Sequence, residues 1–109
     1  MSSLKYRISP LFGIFILLLS LAGCCDESQV SANLKKLYSR SPSDRNDAAL
    51  ALARCDTPES HKAVRRLGDL LYDSNVGVQS SAAYALRKID TPEARQILEK
   101  AVARRDRKK

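Results

Sequence analysis

Apolar residues follow two different patterns along this chain. Residues 11–21 (LFGIFILLLSL) form one continuous run, whereas from residue 30 onward apolar positions recur at the three- and four-residue spacing of a helix face. Val78, Ala82, Ala85, Leu86 and Ile89 make one such stripe, and Val64, Leu67, Leu70 and Leu71 make another. Cap chemistry marks the boundaries. Thr57-Pro58 and Thr91-Pro92 each place a hydroxyl at an N-cap, followed by a ring whose φ is already helical. Glu59 and Glu93 then put negative charge at the positive end of the helix dipole, and Ser41-Pro42-Ser43-Asp44 repeats the logic with capping-box spacing. The pattern predicts helices over about 30–39, 42–55, 58–72, 76–89 and 92–105, joined by short turns, with nothing that reads as a strand.

The stripes belong to an internal repeat. Residues 48–60 align with 82–94 at an offset of 34, with eight of thirteen positions identical and Asp-Thr-Pro-Glu conserved as a block. Leu37-Tyr38 and Leu71-Tyr72 keep the same offset. Beyond the block the register becomes 31, so the first copy carries three extra residues around 60–62. The series Asp73-Ser74-Asn75, Val78-Gln79, Ala82-Ala83, Ala85-Leu86, Ile89, Pro92-Glu93-Ala94, Leu98, Val102 resembles the short HEAT-like repeats first noted in phycobilisome lyases. That resemblance implies an all-α fold, a short α-solenoid of about two and a half helix-pair repeats over residues 30–104. It departs from the family at Gln79, where Arg would follow Val, and at Arg45, which follows Asp44 where Val is expected. An inter-repeat ladder built on that Arg therefore has no support in the sequence.

The continuous apolar run is shorter than the roughly twenty residues a membrane span needs. Lys5 and Arg7 precede it, and Leu21-Ala22-Gly23-Cys24 closes it, which resembles the lipobox of bacterial lipoproteins. The resemblance implies a signal peptide over residues 1–23, cleavage by signal peptidase II, and a diacylglyceryl and acyl-modified (palmitate-type) Cys24 as the first mature residue. Residues 24–29 would be a tether, and two or three acyl chains would make membrane attachment durable. The position after the Cys holds Cys25 and not Asp, which favours the periplasmic face of the outer membrane over the inner membrane.

Loss of Lys5 and Arg7 would lower the formal charge from +7 to +5, still basic. Export argues against nucleic acid as the counter-charge and favours anionic headgroups, acidic glycans or acidic protein surfaces. Of the three cysteines, Cys55 aligns with Ile89 and is expected to be a buried apolar filler, with a Cys25–Cys55 disulfide as the alternative in an oxidising compartment. No Cys or His cluster has metal-ligand spacing, and His61 is the single histidine. Asp56, Glu59, Asp90 and Glu93 are explained as turn and cap residues, so no catalytic centre, cofactor or metal site is expected. The lyase activity of some relatives does not follow from a shared scaffold.

Helix-pair solenoids offer a concave face to partners, lined by the second helix of each pair. Here that face would carry Lys35, Lys36, Lys62, Arg65, Arg66, Asp69, Arg95, Gln96, Glu99 and Lys100. Lys62, Arg65, Arg66, Arg95 and Lys100 are the candidate partner-binding residues. The basic tail, residues 105–109 with Arg104 before it, would either rest on anionic lipid or form a disordered end. The expected function is a membrane-anchored, non-catalytic protein-interaction scaffold with an unidentified partner at the membrane surface. Alternatives are a pilot or assembly chaperone for a secretion or pilus component, and a polyanion-binding envelope protein. Two open stack ends also predict marginal stability or weak self-association.

Overall fold

A computed structural model describes residues 25–109, so the expected signal peptide and the Leu21-Ala22-Gly23-Cys24 motif lie outside the described residues. Five α-helices follow one another: α1 (Glu27–Lys36), α2 (Pro42–Ala53), α3 (Val64–Leu70), α4 (Val76–Ile89) and α5 (Pro92–Arg107). A 3-10 turn at Ser60–Ala63 leads into α3, and no strand occurs among the described residues. The capping expectations hold at Ser41 and Thr91, and Asn75 adds a cap not expected from the sequence. The Asp44 N–H donates to Ser41 Oγ at 3.5 Å, the Val78 N–H to Asn75 Oδ1 at 3.1 Å, and the Ala94 N–H to Thr91 Oγ1 at 3.1 Å. Pro42 and Pro92 occupy first-turn positions, where a missing N–H costs nothing.

Helix boundaries differ from expectation at six ends: α1, α2 and α3 stop two or three residues early, at Lys36, Ala53 and Leu70, and three other ends also move. Pro58 does not open an α-helix, because Thr57 and Ser60 cap one another. The Ser60 N–H donates to Thr57 Oγ1 and the Thr57 N–H to Ser60 Oγ, both at 3.1 Å, while the Ser60 hydroxyl donates to the Cys55 carbonyl. This closed loop tightens the three extra residues of the first copy into the 3-10 turn. In addition, α1 begins at Glu27, within the expected tether, and α5 runs to Arg107, within the expected tail.

The helices form two layers. α2 and α4 lie side by side, and α1, α3 and α5 run antiparallel to them in the second layer. Ala48, Ala49, Ala82 and Ala85 are fully buried on α2 and α4, and their small side chains let the two backbones come close. Leu37, Leu52, Leu67, Leu70 and Leu86 fill the space between layers, each contributing about 1.5–3 kcal/mol by leaving water. Gly68 lets α3 approach α5, since a Cβ there would sit 3.1 Å from Ile97 Cγ2.

A largely enclosed ion pair joins the two repeats. Arg45 Nε and Nη2 donate to Asp73 Oδ2 and Oδ1 at 2.9 and 3.0 Å, and Nη1 donates to the Ser39 carbonyl at 2.8 Å. Asp73 Oδ1 also accepts the Asn75 N–H at 2.9 Å. The ladder that the sequence left unsupported therefore exists, built by Arg45 itself. Gln79, one period on, donates to the Asp73 carbonyl as Arg45 does to Ser39, so it keeps the local half of the contact. The Arg45 hydrogen bonds hold the Asp73 carboxyl below the usual aspartate range, with the Asn75 N–H acting in the same direction and burial opposing it.

Cys55 is buried as expected but is not a free thiol. It is disulfide-bonded to Cys25, 30 residues away in sequence, with Cα atoms 5.3 Å apart. Alignment with Ile89 reveals only the burial of this position. The antiparallel course of α1 and α2, which sets the start of one beside the end of the other, supplies the partner.

Asp73→Ala, which strands the Arg45 guanidinium, should cost about 3 kcal/mol or more in a chemical melt, a large share of what a domain of this size has to lose. Because the folded Asp73 pKa is depressed, its contribution is complete above the ordinary aspartate value near 3.9. It should be lost as pH falls below that value, and Asp73→Ala should flatten this acid limb of a stability–pH profile. Reduction of the disulfide, or Cys55→Val, should lower stability by about 3–4 kcal/mol on the loop-entropy estimate, read as a drop in melting temperature that the reduced wild type shares.

Candidate interaction surfaces

The five cations expected to form one field are divided by the fold. Lys62, on the 3-10 turn, pairs with Glu59 Oε2 at 3.0 Å. Arg65 reaches across from α3 to Glu93 at the start of α5, Nε to Oε1 at 3.2 Å. Arg95 Nη1 donates to the Asp90 carbonyl and carboxylate at 3.0 and 3.1 Å. Arg66 turns the other way: its Nε donates to the Leu37 carbonyl at 3.1 Å, and its guanidinium lies 4.4 Å from the centre of the Tyr38 ring. Lys100 is exposed on α5, with no ion pair among the described residues. Lys62, Arg65 and Arg95 thus share one edge with neutralising carboxylates, and Arg66 faces the opposite edge.

The turn carboxylates have a second role beside capping. Asp56, Glu59, Asp90 and Glu93 each accept a cationic or imidazole partner: His61, Lys62, Arg95 and Arg65 in turn. His61 Nε2 lies 3.0 Å from Asp56 Oδ1 at the surface, with no third group to orient it. No cluster of three His, Cys, Asp or Glu able to hold a metal ion occurs among the described residues.

Charge separates along the helix axes. α1, α3 and α5 run in one direction, so their N-termini share one edge and their C-termini the other. The N-terminal edge bears the disulfide and the Asp-Thr-Pro-Glu turns. Residues 25–31, 48–65 and 83–99, which make up this half, hold six Lys or Arg against seven Asp or Glu. Residues 32–47, 66–82 and 100–109 hold eleven against five. The molecule's net positive charge therefore lies on the far half, beyond the turns that carry Arg65 and Arg95.

Two tyrosines on that far edge were legible only as markers of the period. Tyr38 and Tyr72 follow α1 and α3 at equivalent repeat positions and are 68% and 55% exposed. Arg66 covers Tyr38, and Arg104 lies 5.2 Å from the Tyr72 ring centre. The recurring Leu-Tyr pair was the available signal. Past Arg104, α5 continues to Arg107, which carries its cations outward from this edge as helix. On the open side of α5, Leu98 and Val102 form a shallow apolar strip with Ala103, flanked by Glu99 and Asp106.

Because the near-edge pairs are exposed, they contribute little to stability. Lys62→Glu with Arg65→Glu should shift the unfolding free energy by only about 1 kcal/mol or less and leave the helical circular dichroism unchanged.

A family model for HEAT repeats matches residues 30–109. Curated proteins and solved structures gave no match. Stacked helix pairs at a 34-residue period, closed by a largely enclosed inter-repeat ion pair and matched by that model over most of the sequence, make this chain a member of the HEAT-repeat family.

Proposed function

We propose that the protein is a lipid-anchored envelope scaffold, exported, attached through Cys24, and binding a partner protein through its repeats without catalysing a reaction. HEAT repeats ordinarily serve protein interaction, which supports the scaffold. The observation that carries the anchor is the adjacency of the lipobox-like Leu21-Ala22-Gly23-Cys24 to a disulfide at Cys25. Disulfides persist in exported compartments, so the Cys25–Cys55 bond supports export independently of the leader. A lipidated Cys24 would be joined by one peptide bond to a residue clamped onto the repeat body. The near edge, with its balanced charges, would then lie against the bilayer, and the outer membrane's periplasmic face is the favoured site. The far edge would project away from it. The basic end of α5 sits on that projecting side, which disfavours contact with the anchoring leaflet. The exposed strip of Leu98, Val102 and Ala103 favours a second reading, a pilot or assembly chaperone that covers an apolar segment of an envelope component.

Cys24→Ser should accumulate as unprocessed precursor and fail to incorporate labelled palmitate, measured by gel mobility and autoradiography in the native host. Normal processing and membrane retention of this variant would refute the anchor.

A further inference from the structure

Net uncompensated charge and two exposed aromatic rings coincide on the far half. On the near half Tyr84 is also exposed, with Lys88 5.7 Å from its ring centre, but the surrounding charge is balanced. Among the described residues Lys35, Lys36, Arg40, Lys100, Arg104 and Arg105 make no ion pair. At the other edge Lys62, Arg65 and Arg95 are paired while Arg54, Arg87 and Lys88 are not, but there the acidic residues outnumber the basic ones, seven to six. Tyr38 and Tyr72 stand among the free cations of the far half, each with a guanidinium near one ring face. Arg45 clamps the residues that directly follow them, through the Ser39 carbonyl and the Asp73 carboxylate. The two rings are therefore held on a rigid base.

We infer that the far edge, centred on Tyr38, Arg40, Tyr72 and Arg104, docks an extended acidic segment of a partner protein, with carboxylates on the arginines and an apolar side chain against each tyrosine. The inference deepens the scaffold reading and rests on it. Charge complementarity selects the acidic sequence, because an anionic segment meets cations that no internal carboxylate has neutralised. Ring spacing selects an extended backbone. Tyr38 and Tyr72 follow helices one repeat apart in the same layer, linked by Arg66, which donates to the Leu37 carbonyl and lies over the Tyr38 ring. A helix spacing of about 8–10 Å is spanned by about three residues of extended chain. Side chains three residues apart fall on one face of a polyproline-type strand, so one segment can address both tyrosines. A bilayer is the poorer fit under an anchor at Cys24, since the full length of α5, about 24 Å, separates the two edges.

The test uses detergent-solubilised full-length protein and a fluorescein-labelled peptide of repeated Glu-Glu-Phe, followed by fluorescence anisotropy. The peptide should bind with an affinity that falls as salt rises, and a Gly-Ser-Phe repeat should not bind. Arg40→Glu with Arg104→Glu, and separately Tyr38→Ala with Tyr72→Ala, should each weaken binding about tenfold, while Lys62→Glu with Arg65→Glu stays within about twofold. Equal binding by all variants, or no binding by wild type, overturns the inference. So does tighter retention by heparin or by phosphatidylglycerol vesicles than by the peptide, which would make the edge a polyanion or bilayer surface. A photo-crosslinking residue placed at Arg40 or at Arg87 in living cells separates the two levels of argument. Adducts only at Arg87 leave the scaffold standing and refute this edge. No protein adduct at either position refutes the scaffold itself.

Discussion

The Arg45–Asp73 pair is the interaction on which the stack depends. Neither helix pair can bury its apolar face alone, and Ala-rich contact between α2 and α4 would tolerate sliding of one helix along the other. A bidentate ion pair does not tolerate it. Desolvating two charges is recovered only when nearly every hydrogen-bonding position is filled, and here Arg45 has three acceptors and Asp73 takes three donors. Register is therefore fixed at the same point that holds the turns after Tyr38 and Tyr72. Core packing supplies the larger free energy, and the pair decides which packing is adopted.

Much of this was legible in the sequence, for reasons that also explain the omissions. A period of 34 with matched caps yields the helices, their order and their buried stripe, because these depend on residues within a turn or two of one another. Arg45 and Asp73 are 28 residues apart, a separation belonging to neither register of the repeat, so periodicity alone could not join them. The same holds for Arg65 and Glu93. A helix-face reading treats each exposed cation as isolated, and it therefore overcounted the field around Lys62, Arg65 and Arg95. Cys55 illustrates a different limit: burial can be inherited from an aligned Ile89, whereas a covalent partner cannot.

The charge separation has a local cause. Lys35 and Lys36 end α1, and Arg104, Arg105 and Arg107 end α5, as the negative pole of a helix favours. Glu27 and Glu93 sit at the opposite poles for the complementary reason. In an isolated helix these choices contribute a few tenths of a kilocalorie each. Because stacking makes α1 and α5 parallel, the same preference is repeated in space, and a rule of helix stability gives the molecule a dipole, although α3, with Arg65 and Arg66 early and Asp69 late, does not share it. Surface charge of this kind comes with the architecture before any partner selects for it.

The disulfide also has a bearing on where the chain can exist in folded form. α1 has no helix before it in its layer among the described residues, and it contributes only Val30 to the buried core, with Leu37 just past its end. In a reducing cytoplasm the Cys25–Cys55 bond would be absent, and α1 would open more often than the rest of the stack. Each opening uncovers apolar surface and unprotected backbone, which proteases survey. Under the proposed export, the crosslink would act as a stamp of passage: copies reaching an oxidising space would be closed and durable, and copies left behind would be the more readily cleared.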